Sequence, residues 1–154
     1  MHALRLIVPV SFAVSVAVLA GCGGTTEPRS LAGTSWQLTT IESMNDAQGI
    51  TPAPPGVGYT VSFGADGTAA FQLDCNRGSG TYEADPTGDG TSGSLTFGPI
   101  AATLMGCPGP PEQQAVTDSL TAALPHVRGY VFKGQQLHMS LMADGGIVSW
   151  EPRT

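Results

Sequence analysis

Residues 57–73 read Val-Gly-Tyr-Thr-Val-Ser-Phe-Gly-Ala-Asp-Gly-Thr-Ala-Ala-Phe-Gln-Leu, and this stretch decides the class of fold. Apolar side chains occupy every second position over residues 57–63 and again over 69–73. A period of two is typical of a strand that buries one face. Between the two runs lies Asp66-Gly67, which is a strong signal for a tight hairpin turn. The stretch therefore predicts an antiparallel β-hairpin.

Short runs with the same alternation recur along the rest of the chain. They centre on Trp36, Tyr82, Leu95, Tyr130, Leu137 and Val148. Segments 47–58 and 85–93 are rich in Gly and Pro and are predicted to be loops, and a short strand is expected to begin at Thr81. The chain is thus predicted to be mainly β, a small curved antiparallel sheet or barrel of about eight strands with one helix.

The helix is predicted from one segment that breaks the β pattern. Val116, Leu120 and Leu124 are spaced by four and so lie along one face of a helix. Pro111 is favoured in a first helical turn, and Pro125 cannot continue a helix. We expect one helix of about 12 to 14 residues between them.

The amino terminus has the pattern of an export signal. A short basic start precedes an apolar run of 16 residues, Leu6 to Gly21, which is too short to cross about 30 Å of hydrocarbon comfortably. Leu19-Ala20-Gly21-Cys22 resembles the lipobox of bacterial lipoproteins, in which the cysteine receives lipid and begins the mature chain. We predict a signal peptide over residues 1–21, a lipidated Cys22 with a flexible tether over 22–30, and one domain over 31–154. The alternative is an ordinary signal peptide in which Cys22 is incidental.

The mature chain would be acidic. Loss of Arg5 with the signal leaves five basic and twelve acidic residues, a net charge near −7. Such a chain repels nucleic acid and gains nothing from an anionic membrane surface. We therefore expect no nucleic-acid partner and membrane attachment only through the lipid on Cys22. The residue after Cys22 is Gly23, and not the Asp that would resemble an inner-membrane retention signal. This favours the outer membrane in an organism that has one.

Of the three cysteines, one is predicted to carry lipid and the other two to form a pair. Lipid on Cys22 leaves Cys75 and Cys107 as a pair in an exported, oxidising compartment. We predict a disulfide between them, and two free buried thiols are the alternative. Closing a loop of this length would stabilise the fold by about 3.7 kcal/mol in the chain-entropy model.

Three motifs resemble the META/HslJ-like domain family. Residues 74–82 resemble its G-C-N-x-x-x-G-x-Y motif, residues 95–108 its L-x-F-x-x-I-x-x-T-x-M-x-C-P segment, and residues 31–38 its L-x-G-T-x-W-x-L start. The resemblance covers about residues 31–151. Asp74 and Gly106 depart from the family pattern, which often has Gly and Ala there. The resemblance implies an association with stress or drug tolerance and no defined reaction.

The residues of the motif have a physical interpretation of their own. Asn76 can adopt a left-handed turn and bond nearby backbone. Gly78 and Gly80 permit a tight reversal or a close backbone approach. Tyr82 brings a polar tip that needs a partner. We interpret the motif as structural, with direct ligand contact as the alternative. The candidate residues are Asn76, Arg77, Gly80, Tyr82, Thr103 and Pro108.

Groups for catalysis or metal binding are poorly supported by the sequence. His126 and His138 have no ligand at metal-binding spacing. Asp85 and Asp89 suggest a calcium loop only weakly, because the EF-hand spacing is absent. Asp118-Ser119 and His126 lack a G-x-S-x-G nucleophile motif. The aromatic residues are interpreted as core. We therefore expect no catalytic residue, no metal and no cofactor.

The function predicted from these observations is a non-catalytic binding or envelope-stress role. The protein would be a lipid-anchored monomer of the bacterial cell envelope that faces the periplasm or the exterior. Its partner would be an envelope protein or an apolar ligand. A carrier of an apolar ligand, or a chaperone similar to the secretion-pilot lipoproteins, is the first alternative. An enzyme inhibitor or hydrolase is the weaker one.

Overall fold

The structure is a computed structural model that describes residues 28–45 and 47–154. The predicted signal peptide and Cys22 lie outside the described residues. The strands are β1 (Ser35–Ser43), β2 (Ile50–Pro52), β3 (Tyr59–Phe63), β4 (Thr68–Leu73), β5 (Asn76–Thr87), β6 (Ser92–Phe97), β7 (Ala101–Ala102), β8 (Val127–Lys133), β9 (Gln136–Leu141) and β10 (Gly146–Pro152). One α-helix, α1 (Pro111–Ala123), continues into a 3-10 turn over Leu124–His126, and a second 3-10 turn spans Met142–Asp144.

Eight of the strands form a closed antiparallel barrel. The order around the barrel is β1, β3, β4, β5, β6, β8, β9 and β10, and β10 pairs with β1 to close it. This closing pair extends from Trp36 against Pro152 to Ser43 against Gly146. β2 adds to β1 and β7 adds to β5, outside this ring. Closure removes the exposed edges of the eight-stranded sheet, and the predicted fold class is confirmed.

The hairpin predicted from residues 57–73 is the β3–β4 pair. Its register runs from Tyr59 against Leu73 to Phe63 against Ala69, so the alternating apolar residues share the inner face. Gly67 in the turn has φ +81°, a conformation that favours glycine. The Asp66 carboxylate accepts hydrogen bonds from the Thr68 amide (3.1 Å) and hydroxyl (2.6 Å), which fixes the turn.

The predicted helix is confirmed almost to the residue. α1 begins at Pro111, buries Val116 and Leu120 against the barrel, and passes into the 3-10 turn at Leu124. Among the described residues, none of the helices is long and apolar enough to span a membrane.

Three predicted boundaries are wrong. Segment 47–58 contains β2, a three-residue strand on the outer side of β1. The loop predicted over 85–93 is shorter, because β5 continues to Thr87 and β6 begins at Ser92. β5 also starts at Asn76 instead of Thr81. The carboxyl-terminal half of β5 is exposed, so no hydrophobic alternation marks that half as a strand. The Gly and Pro residues of β5 also resemble loop signals.

Side chains fill the interior of the barrel. The largest buried ones come from most of the strands and from α1, and they include Trp150, Tyr59, Phe63, Leu95, Leu120, Leu137 and Met139. The aromatic residues that the sequence assigns to the core are buried, except that Phe97 and Tyr82 are only partly buried. Phe97 packs between Phe63 and Phe71, with ring centroids 6.0 and 5.3 Å away. Burial of this apolar surface is the main force that stabilises the fold.

Antiparallel pairing places the connections at two ends of the barrel. We call one the helix end; it holds residues 44–45, 47–49, 74–75, 103–110, 142–145 and α1. We call the other the amino-terminal end; it holds residues 28–34, 64–67, 88–91 and 134–135. Every strand of the ring runs between these two ends, so they face in opposite directions.

The chain enters the barrel at the amino-terminal end. The Arg29 amide donates to the Asp89 carbonyl (2.9 Å), and its guanidinium donates to the Gly134 carbonyl (2.6 Å). The guanidinium carbon also lies 3.9 Å from the centroid of the Phe132 ring. Leu31 is buried two residues later. Arg29, which the sequence assigns to the tether, is therefore docked on the barrel.

The packing of α1 gives a direct stability prediction. Leu120 is completely buried, so Leu120→Ala should lower the free energy of unfolding by about 2–5 kcal/mol. Leu104 is 92% exposed and is a matched control, for which Leu104→Ala should change stability by less than about 0.5 kcal/mol. Urea unfolding of both variants measures the difference. Equal losses would mean that α1 is not part of the core.

Candidate binding site at the helix end of the barrel

A disulfide joins the β4–β5 turn to the segment before α1. It connects Cys75 and Cys107, whose Cα atoms are 5.6 Å apart, and the predicted pairing is present. The turn itself depends on Asp74, which has φ +61°. The left-handed conformation predicted for Asn76 is therefore wrong, because it belongs to the residue two positions earlier. Asp tolerates this conformation better than most residues.

Asn76 instead holds a distant loop through its side chain. It is the first residue of β5 and is only 7% exposed. Its Nδ2 donates to the Met105 carbonyl (3.0 Å), while its Oδ1 accepts from the Met105 amide (2.7 Å) and the Thr103 hydroxyl (2.8 Å). One amide side chain thus satisfies both backbone groups of Met105. The loop over residues 103–107 is fixed by Asn76 at its middle and by the disulfide at its end.

The other candidate residues have structural contacts at separate places. A Cβ atom on Gly80 would lie 2.8 Å from the Pro99 carbonyl, so the predicted close approach is present and the alternative of a tight reversal is not. The Tyr82 hydroxyl donates to the Gly64 carbonyl (2.8 Å) at the amino-terminal end. The Arg77 amide donates to the Thr103 hydroxyl (3.1 Å), and the Pro108 carbonyl accepts from Gln113 Nε2 (3.3 Å). Arg77 and Thr103 thus lie beside Asn76 at the helix end, whereas Tyr82 lies at the opposite end of the barrel.

Three polar contacts orient α1 over the end of the barrel. The Tyr59 hydroxyl donates to the Gln113 carbonyl (2.9 Å) and lies 2.9 Å from the Thr117 hydroxyl. Gln113 Nε2 donates to the Asp74 carboxylate (2.6 Å). Burial raises the pKa of Tyr59, so the hydroxyl keeps its proton and remains a donor. The helix is therefore fixed to β3 and to the β4–β5 turn.

Large apolar side chains are exposed at this same end. The described residues include five such side chains: Met44, Ile50, Leu104, Met105 and Met142. All five lie in connections of the helix end or at the start of β2 beside it. Exposed apolar residues that cluster on one face are typical of an interaction surface. The predictions made from the sequence did not include this cluster, although large apolar residues inside segments without periodicity are a signal for it.

The first of two grooves beside α1 we call the β7 groove. It lies between residues 102–106 and the helix, and its volume is about 530 Å³. This volume falls within the range of about 300–1,000 Å³ that is usual for ligand pockets. Asn76 and Leu73 contribute to its base. The helix side presents Gln114, Thr117, Asp118, Thr121 and Ala122.

The second groove lies on the other side of α1, and we call it the β1 groove. It has a volume of about 680 Å³. Ile41 and Glu42 of β1 form one side, and the turn at Met142 forms another. Ala122 borders both grooves, so α1 is the ridge between them.

The residues considered for catalysis are not assembled into one site. Asp118 borders the β7 groove and accepts a hydrogen bond from Gln114 Nε2 (2.8 Å). Ser119 and His126 border the β1 groove, where His126 Nδ1 lies 3.3 Å from the Met142 sulfur. The helix therefore separates the Asp118 carboxylate from the other two groups.

The acidic loop and the histidines have local partners. The Asp89 carboxylate accepts hydrogen bonds from the amide (3.0 Å) and the hydroxyl (2.7 Å) of Thr91. Over residues 28–45 and 47–154, no group of three or more His, Cys, Asp or Glu side chains is placed to hold a metal ion. His138 lies in a cleft of about 370 Å³ on the barrel wall, with its Nδ1 2.8 Å from the Ser149 hydroxyl.

Comparison with known proteins gives a family and a shared fold. The family model described as META domain matches residues 29–152. A comparison with curated proteins found no match. A protein from Burkholderia xenovorans, solved by NMR, is 23% identical with a TM-score of 0.61, and the alignment covers 97% of this chain and 99% of that one. A DUF4847 family protein from Bacteroides vulgatus is 16% identical with a TM-score of 0.49, covering 79% and 93%.

The role of Asn76 predicts a specific loss. Asn76→Ala leaves the Met105 backbone groups without their side-chain partner, so the free energy of unfolding should fall by about 2 kcal/mol. Amide hydrogen exchange at Met105 should accelerate. Asn45→Ala, the same change at an exposed turn residue, is the matched control and should cost less than about 1 kcal/mol. A loss no larger at Asn76 than at Asn45 would contradict the role of its side chain.

His138 predicts a pH dependence of stability. Burial, together with the Lys133 charge, holds the pKa of His138 below its ordinary value of about 6.5, while Glu42 opposes this. The unfolded chain therefore binds the proton first as the pH falls, and the stability present above about pH 6.5 is lost below it. His138→Gln should make this decline shallower in urea unfolding between about pH 7 and 5, whereas His126→Gln, at an exposed ring, is the control. Identical pH profiles for His138→Gln and the parent would contradict the prediction.

Proposed function

The chain belongs to the META domain family, and from that premise we propose that it is a lipid-anchored, non-catalytic binding protein of the bacterial cell envelope. Its binding face is the helix end of the barrel, and its partner is another envelope protein. The observation that carries the proposal is the placement of all five exposed large apolar side chains of the described chain at that end.

The route of the chain supports the orientation. Arg29 is docked at the amino-terminal end, opposite the five side chains. Cys22 precedes Arg29 by seven residues, which reach at most about 25 Å when fully extended. A lipid on Cys22 would therefore keep the amino-terminal end near the membrane. The helix end would then face away from the membrane, where a partner can reach it.

The packed interior favours a protein partner over an apolar cargo. A carrier of an acyl chain needs a cavity of about 300 Å³ or more for its ligand. The barrel interior is instead occupied by side chains such as Trp150, Phe63 and Leu137. Spaces of that size lie at the surface, and the two beside α1 at the helix end suit a polypeptide segment. A chaperone that holds an envelope protein is consistent with the same face.

The titratable groups support a non-catalytic role. Burial raises the pKa of Tyr59, Tyr82 and Tyr130. Tyr59 and Tyr82 donate to backbone carbonyls at 2.9 and 2.8 Å, which are structural hydrogen bonds. A catalytic site needs such groups to converge in a cleft. Stress or drug tolerance would then follow from the partner that the protein binds, and not from a reaction.

Site-specific photo-crosslinking in the native host tests this proposal. A photoreactive amino acid at Leu104 or Met142 should crosslink one common set of envelope proteins. The same group at Glu83, which is exposed on β5 away from the helix end, is the matched control and should yield none of them. Equal products from Glu83 and Leu104 would refute the helix end as the binding face.

Anchoring is tested with Cys22→Ala and a clickable fatty acid. The parent should carry the label and sediment with membranes, and the variant should lose the label and enter the soluble fraction. Crosslinking through Leu104 should fall by about tenfold, because the local concentration of an envelope partner is lost. A labelled, membrane-bound Cys22→Ala variant would refute the lipid anchor.

A further inference from the structure

The β7 groove has an open strand edge along one side. Among the described residues, β7 pairs only with β5, through Ala102 opposite Gly78 and Ala101 opposite Ser79. Ala101 and Ala102 are both exposed. An open edge of this kind is a template for another extended chain. The eight strands of the ring have no such edge at this place, because closure pairs them.

The register of the β5–β7 pair identifies which backbone groups of β7 point away from β5. The Thr103 amide donates to the Arg77 carbonyl (3.0 Å), so residues 101 and 103 direct their amide and carbonyl groups toward β5. Successive residues of an antiparallel strand alternate in direction. The amide and carbonyl of Ala102 therefore point away from β5, and they offer one donor and one acceptor to an added strand.

The edge is held in place before any partner arrives. Asn76 fixes the Thr103 hydroxyl and the Met105 backbone, and the Cys75–Cys107 disulfide fixes the end of the loop. A rigid edge loses little conformational entropy on binding, which favours affinity. Leu104 and Met105 project from the same segment and supply apolar contacts.

The helix side of the β7 groove favours an occupant with positive charge. α1 contains Glu112 and Asp118 and has neither Lys nor Arg. Asp118 borders the groove, whereas Arg77 on the neighbouring strand does not. An occupant with a Lys or Arg side chain would meet complementary charge on the helix. An acidic occupant would be repelled.

We propose that the β7 groove binds an extended, basic and apolar peptide segment of a partner protein, which adds to β7 as a further strand. Main-chain hydrogen bonds to Ala102 would hold the segment, and Asp118 with Leu104 would select its side chains. Strand addition of this kind is an established mode of peptide recognition. The inference rests on the proposed function, since it names the mode and the chemistry of binding at the helix end.

A synthetic octapeptide of alternating Val and Lys, labelled with a fluorophore, tests the mode on the full-length protein in detergent. It should bind about tenfold more tightly than an octapeptide of alternating Val and Glu. Methylating the peptide amides that face the edge should weaken binding by about tenfold, since these donors are lost without any change to the protein. On binding, hydrogen exchange of the Ala102 amide should slow. Equal affinities of the methylated and unmethylated peptides would overturn the proposal.

Matched variants of the protein test the contribution of the β7 strand edge and that of the Asp118 charge separately. Ala102→Pro removes the outward amide but no bond to β5, and it should weaken binding of the Val–Lys peptide by about tenfold. Asp118→Asn keeps an acceptor for Gln114 and should weaken it by about fivefold at low salt. Glu83→Gln, the same kind of change at an exposed position of β5 away from the helix end, should leave the affinity within about twofold.

The outcomes also separate this inference from the proposed function. If Leu104 crosslinks an envelope partner while Ala102→Pro and amide methylation change nothing, the helix end is a binding face and strand addition is wrong. If the Val–Lys peptide fails to bind, strand addition is likewise wrong. Loss of site-specific crosslinking at both Leu104 and Met142 would instead refute the proposed function.

Discussion

The helix end depends on one buried amide. Residues 103–107 leave β7 and approach α1 without a partner strand, so their backbone groups need other hydrogen-bond partners. Asn76 supplies them for Met105, and it is itself fixed as the first residue of β5. An unpaired buried polar group costs more than a bond gains, so this arrangement is retained only when complete. The disulfide closes the same connection covalently, and together the two restrict the loop to one conformation.

Because the loop over residues 103–107 is held in one conformation, its apolar side chains stay exposed to water. Leu104 and Met105 on a mobile loop would collapse onto the nearest apolar surface, whereas here the backbone is held in place. The same applies to α1, which is tied to β3 through Tyr59. The apolar groups therefore remain in water at a free-energy cost, which a partner would recover by covering them. The amino-terminal end has the opposite character, because Arg29 and Leu31 cover it.

The sequence predicts the elements that bury one face and fails where burial gives no pattern. The β3–β4 hairpin, α1 and the three carboxyl-terminal strands follow from alternation or spacing by four, and the family resemblance agrees with the META domain match. β2 and the outer half of β5 were missed because exposed strands need no apolar alternation. The left-handed residue was misplaced because both Asp74 and Asn76 tolerate that conformation, and only the turn geometry decides between them.

The site was less predictable than the fold because it depends on relations between distant segments. The motif residues make hydrogen bonds within the fold, yet the long-range bond from Asn76 to Met105 spans 29 positions and leaves no local pattern. The grooves arise where β7 joins β5 outside the closed ring and α1 crosses the end of the barrel. A closed barrel has no strand edge to offer, so a binding edge must be added to it. β7 is such an addition, and the disulfide and Asn76 hold the chain that follows it in position.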